Sequence, residues 1–142
     1  MGWASSFVGI PFAHHDGGSD GTHCYGLVRM VYSRVLGVEL EPYVFASAPS
    51  DEDSERQVDG LFRAAMTSNE WTRVPGATEP QAFDVLAFFN AKVWHVGVAV
   101  DRERMLHCPA GGLAIIERWR GPLWAAALRR PGAGIYRHAT RV

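Results

Sequence analysis

Cysteine and lysine are almost missing from this chain. Two cysteines, Cys24 and Cys108, stand among 142 residues with no C-x-x-C spacing, too few for a disulfide framework. Lys92 is the one lysine against thirteen arginines, a usage that reflects a GC-rich genome more than chemistry. No apolar run approaches the roughly 20 residues that a membrane span needs. The opening MGWASSFVGIPFAHH lacks a basic n-region and a long apolar h-region, so no secretory signal is expected. There is no internal repeat and no low-complexity run. Together these absences fit a chain made and folded in a reducing cytosol.

With 47% hydrophobic and 20% charged residues, the composition is that of a globular protein, and one domain over 1–142 is expected. The net charge of −1 is unevenly spread: seven acids against Arg56 between Glu39 and Asp59, and six arginines after Glu117 with no further acid. Such a tail suits an anionic polymer or a partner protein. Pro122, Pro131, Gly132 and Gly134 interrupt it, which argues against a nucleic-acid-binding helix. A solvated surface is the simpler reading, and no nucleic-acid partner is expected.

The first half reads as helix and loop, the second as strands. Residues 2–8 fit a short helix with Trp3 and Phe7 on one side. In SDGTHCYGLVRMVY and its continuation, Cys24, Leu27, Val28, Val31, Val35 and Leu36 fall on one helical face, and Gly37 stands where a helix stops. Ser50 and Asp53 resemble a capping pair for a second helix over 51–68. Then the period changes. FDVLAFF (83–89), VWHVGVAV (93–100), RMLHC (104–108), LAIIERW (113–119) and GIYRHA (134–139) read as strands. The layout is α+β: helices, then an antiparallel sheet of four or five strands.

Cys24 opens its helix, with Thr22 as a plausible N-cap. Unpaired backbone N–H groups and the helix dipole there favour a thiolate, so Cys24 is expected to have a depressed pKa and to be alkylated before Cys108. The simpler alternative is a small, inert core residue. In VWHVGVAV, alternation places His95, Gly97 and Ala99 on one face and three valines on the other. The small neighbours predict open space above His95. A three-residue turn over 101–103 would set Gly97 opposite His107 and bring His95 within one diagonal step of it. A turn one residue shorter or longer would split the histidines across faces. Cysteine, histidine and a polar residue that orients the histidine form the order of papain-like nucleophilic catalysts.

Three stretches carry a more specific likeness. GIPFAHHDGGSDGTHCYGLVRMVY resembles the first motif of the NlpC/P60 cysteine peptidases, a G-x-P-[YF] start and a Gly-rich loop leading to D-C-x-G-[LF]-[VI]. PQAFDVLAFF resembles the P-G-D-[LV]-[VL]-x-F strand of that family. HVGVAVDRERMLHC resembles its H-V-G-I-Y segment with the second histidine at the same spacing. LVRMVYSRVLGVELEPY and PLWAAALRRPGAGIYRH are most similar to a phage tail-associated branch. The resemblance implies a papain-like fold with Cys24 as nucleophile, His95 as base and His107 as the orienting third residue. It also implies hydrolysis of peptidoglycan stem-peptide amides through a thioester, without cofactor. The protein would be made in the host cytoplasm, carried at a virion tail tip beside tail or baseplate proteins, and act in the periplasm or cell wall.

Two positions depart from the family pattern. His23 replaces the usual Asp, and Phe12 stands where many members have a Tyr hydroxyl. They favour an alternative in which the chain is a tail-tip structural subunit that keeps the fold without turnover. A zinc site built from His14, His15, His23, Cys24, His107 and Cys108 fits no common ligand spacing, and no metal is expected. Cys108 should face away from His107 and is not expected to pair with Cys24. His138 reads as a surface residue.

Overall fold

The computed structural model describes residues 2–13, 21–22, 24–40, 70–75, 79–90, 93–109, 111–121, 124, 128 and 133–141. The expected helix over 51–68, together with His14, His15 and His23, lies outside the described residues. Among the described residues no helix is long and apolar enough to cross a membrane.

Trp3–Phe7 make a 3-10 turn, which sets Trp3 in a stack on Phe83 at 4.5 Å between ring centroids. Helix α1 is Cys24–Val31, and every residue of it except Arg29 is buried. A helix apolar on nearly all sides has to run inside the molecule. Tyr32–Leu36 continue it as a wider π-type turn, closed by Gly37 at φ 68°, a left-handed conformation that glycine adopts without a Cβ penalty. The wider turn rotates the residues that follow it. The apolar stripe expected through Val35 therefore breaks, and Val35 is 37% exposed.

Six strands follow: β1 Trp71–Val74, β2 Val85–Asn90, β3 Val93–Ala99, β4 Arg104–His107, β5 Ile115–Arg118 and β6 Gly134–His138. They form one sheet in the order β1-β6-β2-β3-β4-β5, antiparallel at every pairing. Strand β1 is the addition to the expected set. Only its two end residues are buried, so no alternation marks it in the sequence, and it forms by pairing with β6, Trp71 opposite His138. That pairing also corrects the reading of His138. As part of an interior strand it is buried, its ring 4.9 Å from Trp71 and 5.6 Å from Tyr32.

The sheet has a core on both faces. On one, Val85, Ala87, Val96, Val98, Leu106 and Tyr136 pack with α1. On the other, Leu86, Phe88, Ala99, Met105, Trp119 and Ile135 pack with Trp124 and Leu128. The entry to β2 is strained. Phe83 holds φ 76°, an outlier for a bulky side chain, under the Trp3 ring and with its carbonyl accepting the Tyr32 hydroxyl at 2.5 Å. Next to it the buried Asp84 carboxylate accepts the Gln81 N–H and both arms of Arg137, at 2.9 and 2.8 Å. This bidentate pair ties β6 to the start of β2. Removing one partner of a buried pair leaves an uncompensated charge and costs about 3–5 kcal/mol. Arg137→Ala is therefore expected to lower the melting temperature by about 10 °C in a thermal denaturation followed by circular dichroism. An unchanged transition would show that the pair does not hold the strands.

Candidate functional site

The site begins with a turn. Asp101 accepts the backbone N–H groups of Glu103 and Arg104 through Oδ1, both at 2.9 Å, and holds Arg104 Nε through Oδ2 at 2.9 Å. This Asx-type closure sets Val100 N–H on the Arg104 carbonyl at 2.9 Å, with Val98 opposite Leu106 and Ala99 opposite Met105. The same register places His107 opposite Gly97 and one diagonal step from His95. The rings meet, His95 Nε2 lying 2.7 Å from His107 Nδ1. Gly97 leaves the necessary room, because a Cβ there would lie 2.9 Å from Met105 Sδ and 3.2 Å from His107 Cβ.

A third strand adds a group that the sequence reading missed. Strand β5 runs beside β4 with Ile115 opposite His107 and Glu117 opposite Met105. Glu117 thereby shares the histidines' face, and its Oε1 lies 2.7 Å from His107 Nε2. Alternation within IIER marks which face Glu117 takes, but not which β4 residue it meets. The connection between the strands, CPAGGLA, has no length that selects one register.

The face above His95 is only partly open. Met105 is fully buried beside the pair, and the Trp124 ring covers it, 5.6 Å from His95 in a stacked arrangement and 5.4 Å from His107 edge-on. Phe88 supports Trp124 at 4.9 Å. The small residues around His95 make room for these larger side chains, which come from elsewhere in the chain.

Cys24 is the first residue of α1 and is 6% exposed. Its thiol lies against the backbone N–H groups of Val96, Tyr25 and Cys24 itself. Val96 follows His95 directly, so the sulfur approaches β3 one peptide from the imidazole. Among the described residues no hydrogen bond joins the thiol to either ring. Cys108, the other buried free thiol, also packs on the α1 side, its Sγ–H directed to the carbonyls of Ile10 and Thr22. That is the side away from His107, as expected, and Cys24 packs there too.

Electrostatics correct the expected thiolate. Burial pushes the Cys24 thiol up, and the N–H groups of Val96, Tyr25 and Cys24 only partly offset it. Burial, with the Cys24 charge behind it, pushes Cys108 up to about 11. The helix-tip effect is present, but desolvation of a charged sulfur outweighs it. Burial also lowers His95, as does the neighbouring His107. His107 is lowered by burial while Glu117 pulls it back up through its hydrogen bond and charge. The resting protein therefore holds a neutral Cys24 thiol and a neutral His95.

The depressed His95 pKa has a consequence for stability. The unfolded chain takes up a proton near the ordinary histidine value of about 6.5, and the native ring does not. Stability is then fully present above that pH and declines as the pH falls below it. In an NMR titration the His95 ring protons are expected to keep their shifts from about pH 8 to about pH 5, through the ordinary histidine range. A midpoint near the ordinary value would mean that the ring is solvated.

A model of the NlpC/P60 family matches residues 9–132. Two solved structures resemble this one. The NlpC/p60 domain of peptidoglycan hydrolase SagA is 20% identical, with a TM-score of 0.51 over 81% of this chain and 82% of that one. An NlpC/P60 family protein from Bacillus cereus ATCC 10987 is 16% identical, with a TM-score of 0.62 over 95% of this chain and 37% of that one. This chain thus spans little more than a third of the Bacillus cereus protein. No curated protein matches by sequence.

Proposed function

The chain belongs to the NlpC/P60 family, and from that membership and the geometry of the site we propose a cysteine endopeptidase that hydrolyses stem-peptide amides of peptidoglycan. The observation that carries the reading is the braced histidine pair, His95 Nε2 to His107 Nδ1 at 2.7 Å, one peptide from the Val96 N–H that the Cys24 thiol meets. The SagA domain of similar fold belongs, by its name, to a peptidoglycan hydrolase, which supports the choice of substrate.

With Nε2 engaged by His107, the free nitrogen of His95 is Nδ1, and that is the base. Attack begins from the neutral pair: Cys24 Sγ bonds to the amide carbon as its proton passes to His95 Nδ1. Backbone N–H groups at the start of α1 hold the oxyanion. Collapse breaks the C–N bond, and the leaving amine takes the proton back from His95. Water, deprotonated by the same nitrogen, then opens the thioester and restores the thiol. His107 keeps the His95 ring in place while it carries positive charge.

A place at a phage tail tip, beside tail or baseplate proteins and acting in the periplasm or cell wall, is part of the proposal. The likeness of LVRMVYSRVLGVELEPY and PLWAAALRRPGAGIYRH to that branch supports it. A second reading, a structural tail subunit without turnover, is favoured by the burial of Cys24 and its raised pKa, and by His23 and Phe12 in place of the family's usual residues.

A zymogram on purified murein separates the two. The parent is expected to clear the gel, Cys24→Ala to leave it intact, and His95→Ala to lose about a hundredfold or more in rate. Equal clearing by the parent and Cys24→Ala would remove the nucleophile from the account. No clearing by the parent would favour the structural subunit.

A further inference from the structure

The histidine pair is part of a longer chain of groups. Three strands contribute one group each to a single face: His95 from β3, His107 from β4 and Glu117 from β5, joined by two contacts of 2.7 Å. Hydrogen-bond inventory fixes where the protons lie. An ionised carboxylate only accepts, so His107 Nε2 must carry the proton directed at Glu117. A neutral imidazole has one N–H, so His107 Nδ1 is a lone pair, and the contact with His95 requires the proton on His95 Nε2. The one lone pair left is on His95 Nδ1, the nitrogen assigned to the thiol.

We propose that Glu117 is a positioning residue that sets both imidazole tautomers through His107, so that His95 presents an unprotonated Nδ1 to Cys24. This rests on the catalytic reading above. Without the carboxylate, His107 is free to carry its proton on Nδ1 and drive His95 into the opposite tautomer, with its N–H toward the thiol and no base available. Glu117 also supplies a negative charge against the pair when His95 becomes an imidazolium. Among the described residues the Trp124 ring, 5.6 Å from His95 and 5.4 Å from His107, is neutral, as is Met105 on the same face. The Glu117 side chain is 40% exposed while His107 is buried, so the carboxylate connects the ring pair to solvent at little cost to the core.

Two readouts test the assignment. Histidine ¹⁵N NMR reports proton positions without any turnover. In the parent, His107 is expected to be protonated on Nε2 and His95 on Nε2, and in Glu117→Ala the two rings are expected to exchange between tautomers. In murein hydrolysis, Glu117→Ala is expected to lower kcat/KM by roughly a hundredfold, mostly through kcat, with thermal unfolding near that of the parent. The acidic limb should move to lower pH, because Glu117 raises the His107 pKa and its loss lets the pair deprotonate earlier. Glu117→Gln, which keeps an acceptor but not the charge, should recover part of the rate while keeping the shifted limb. A parent His107 protonated on Nδ1, or a Glu117→Ala protein with unchanged kcat/KM and unchanged acidic limb, would overturn the proposal. Should the parent fail to hydrolyse murein, the catalytic reading falls, and the NMR arm alone decides whether Glu117 sets the tautomers.

Discussion

The antiparallel register of β3 and β4 is the constraint on which the site depends. Side chains alternate across a strand with a period of two, so a slip of one residue would send His107 to the α1 face and leave His95 alone. The Asp101 carboxylate opposes that slip by accepting two consecutive N–H groups across the 101–103 turn. Once the turn is fixed, the rest follows down the strands. Gly97 gives His107 room, Met105 fills the space beside it, and β5 brings Glu117 to the second nitrogen of His107.

Around this arrangement the sheet carries a buried core on both faces, and burial has opposite effects on its groups. It strengthens the His95–His107–Glu117 contacts, since a hydrogen bond in a low dielectric is electrostatically stronger than in water. It also disfavours every charged state, which is why both Cys24 and His95 rest neutral. A thiolate–imidazolium pair waiting in the free protein would need more solvent or more compensating dipoles than α1 provides at its first turn. In the proposed mechanism, proton transfer concerted with attack on an amide avoids forming that pair in advance. In that mechanism the Glu117 carboxylate, one ring removed from His95, stabilises the transient positive charge without itself being desolvated.

The elements that hold the sheet are distant in sequence. Strand β6 lies between β1 and β2, and Arg137 on it reaches the Asp84 carboxylate at the mouth of β2. The strained Phe83 backbone beside that pair is held from two sides, by the Trp3 ring and the Tyr32 hydroxyl. The 3-10 turn, the end of the helical segment and the final strand thus converge on one corner of the fold, at the opposite end of β2 from Phe88, whose register partner on β3 is His95.

Much of this was written locally. The α+β order, the positions of β2 to β6, the start of α1 at Cys24 and the shared face of His95 and His107 depend on periodicity, turn residues and a short loop, all of which act over a few neighbours. Four features depended on partners far along the chain. Strand β1 forms because β6 offers it an edge, and His138 is buried for the same reason. Trp124 and Met105 close the space that small residues around His95 had left. Glu117 reaches His107 through a register that the β4–β5 connection does not specify. The Cys24 pKa belongs with these: its place at a helix tip is local and favours the thiolate, but desolvation is set by everything packed around the sulfur. A sequence fixes what each segment prefers, whereas burial and non-local pairing are properties of the assembled molecule, and here they decided the charge states of Cys24 and His95 and the carboxylate that meets His107.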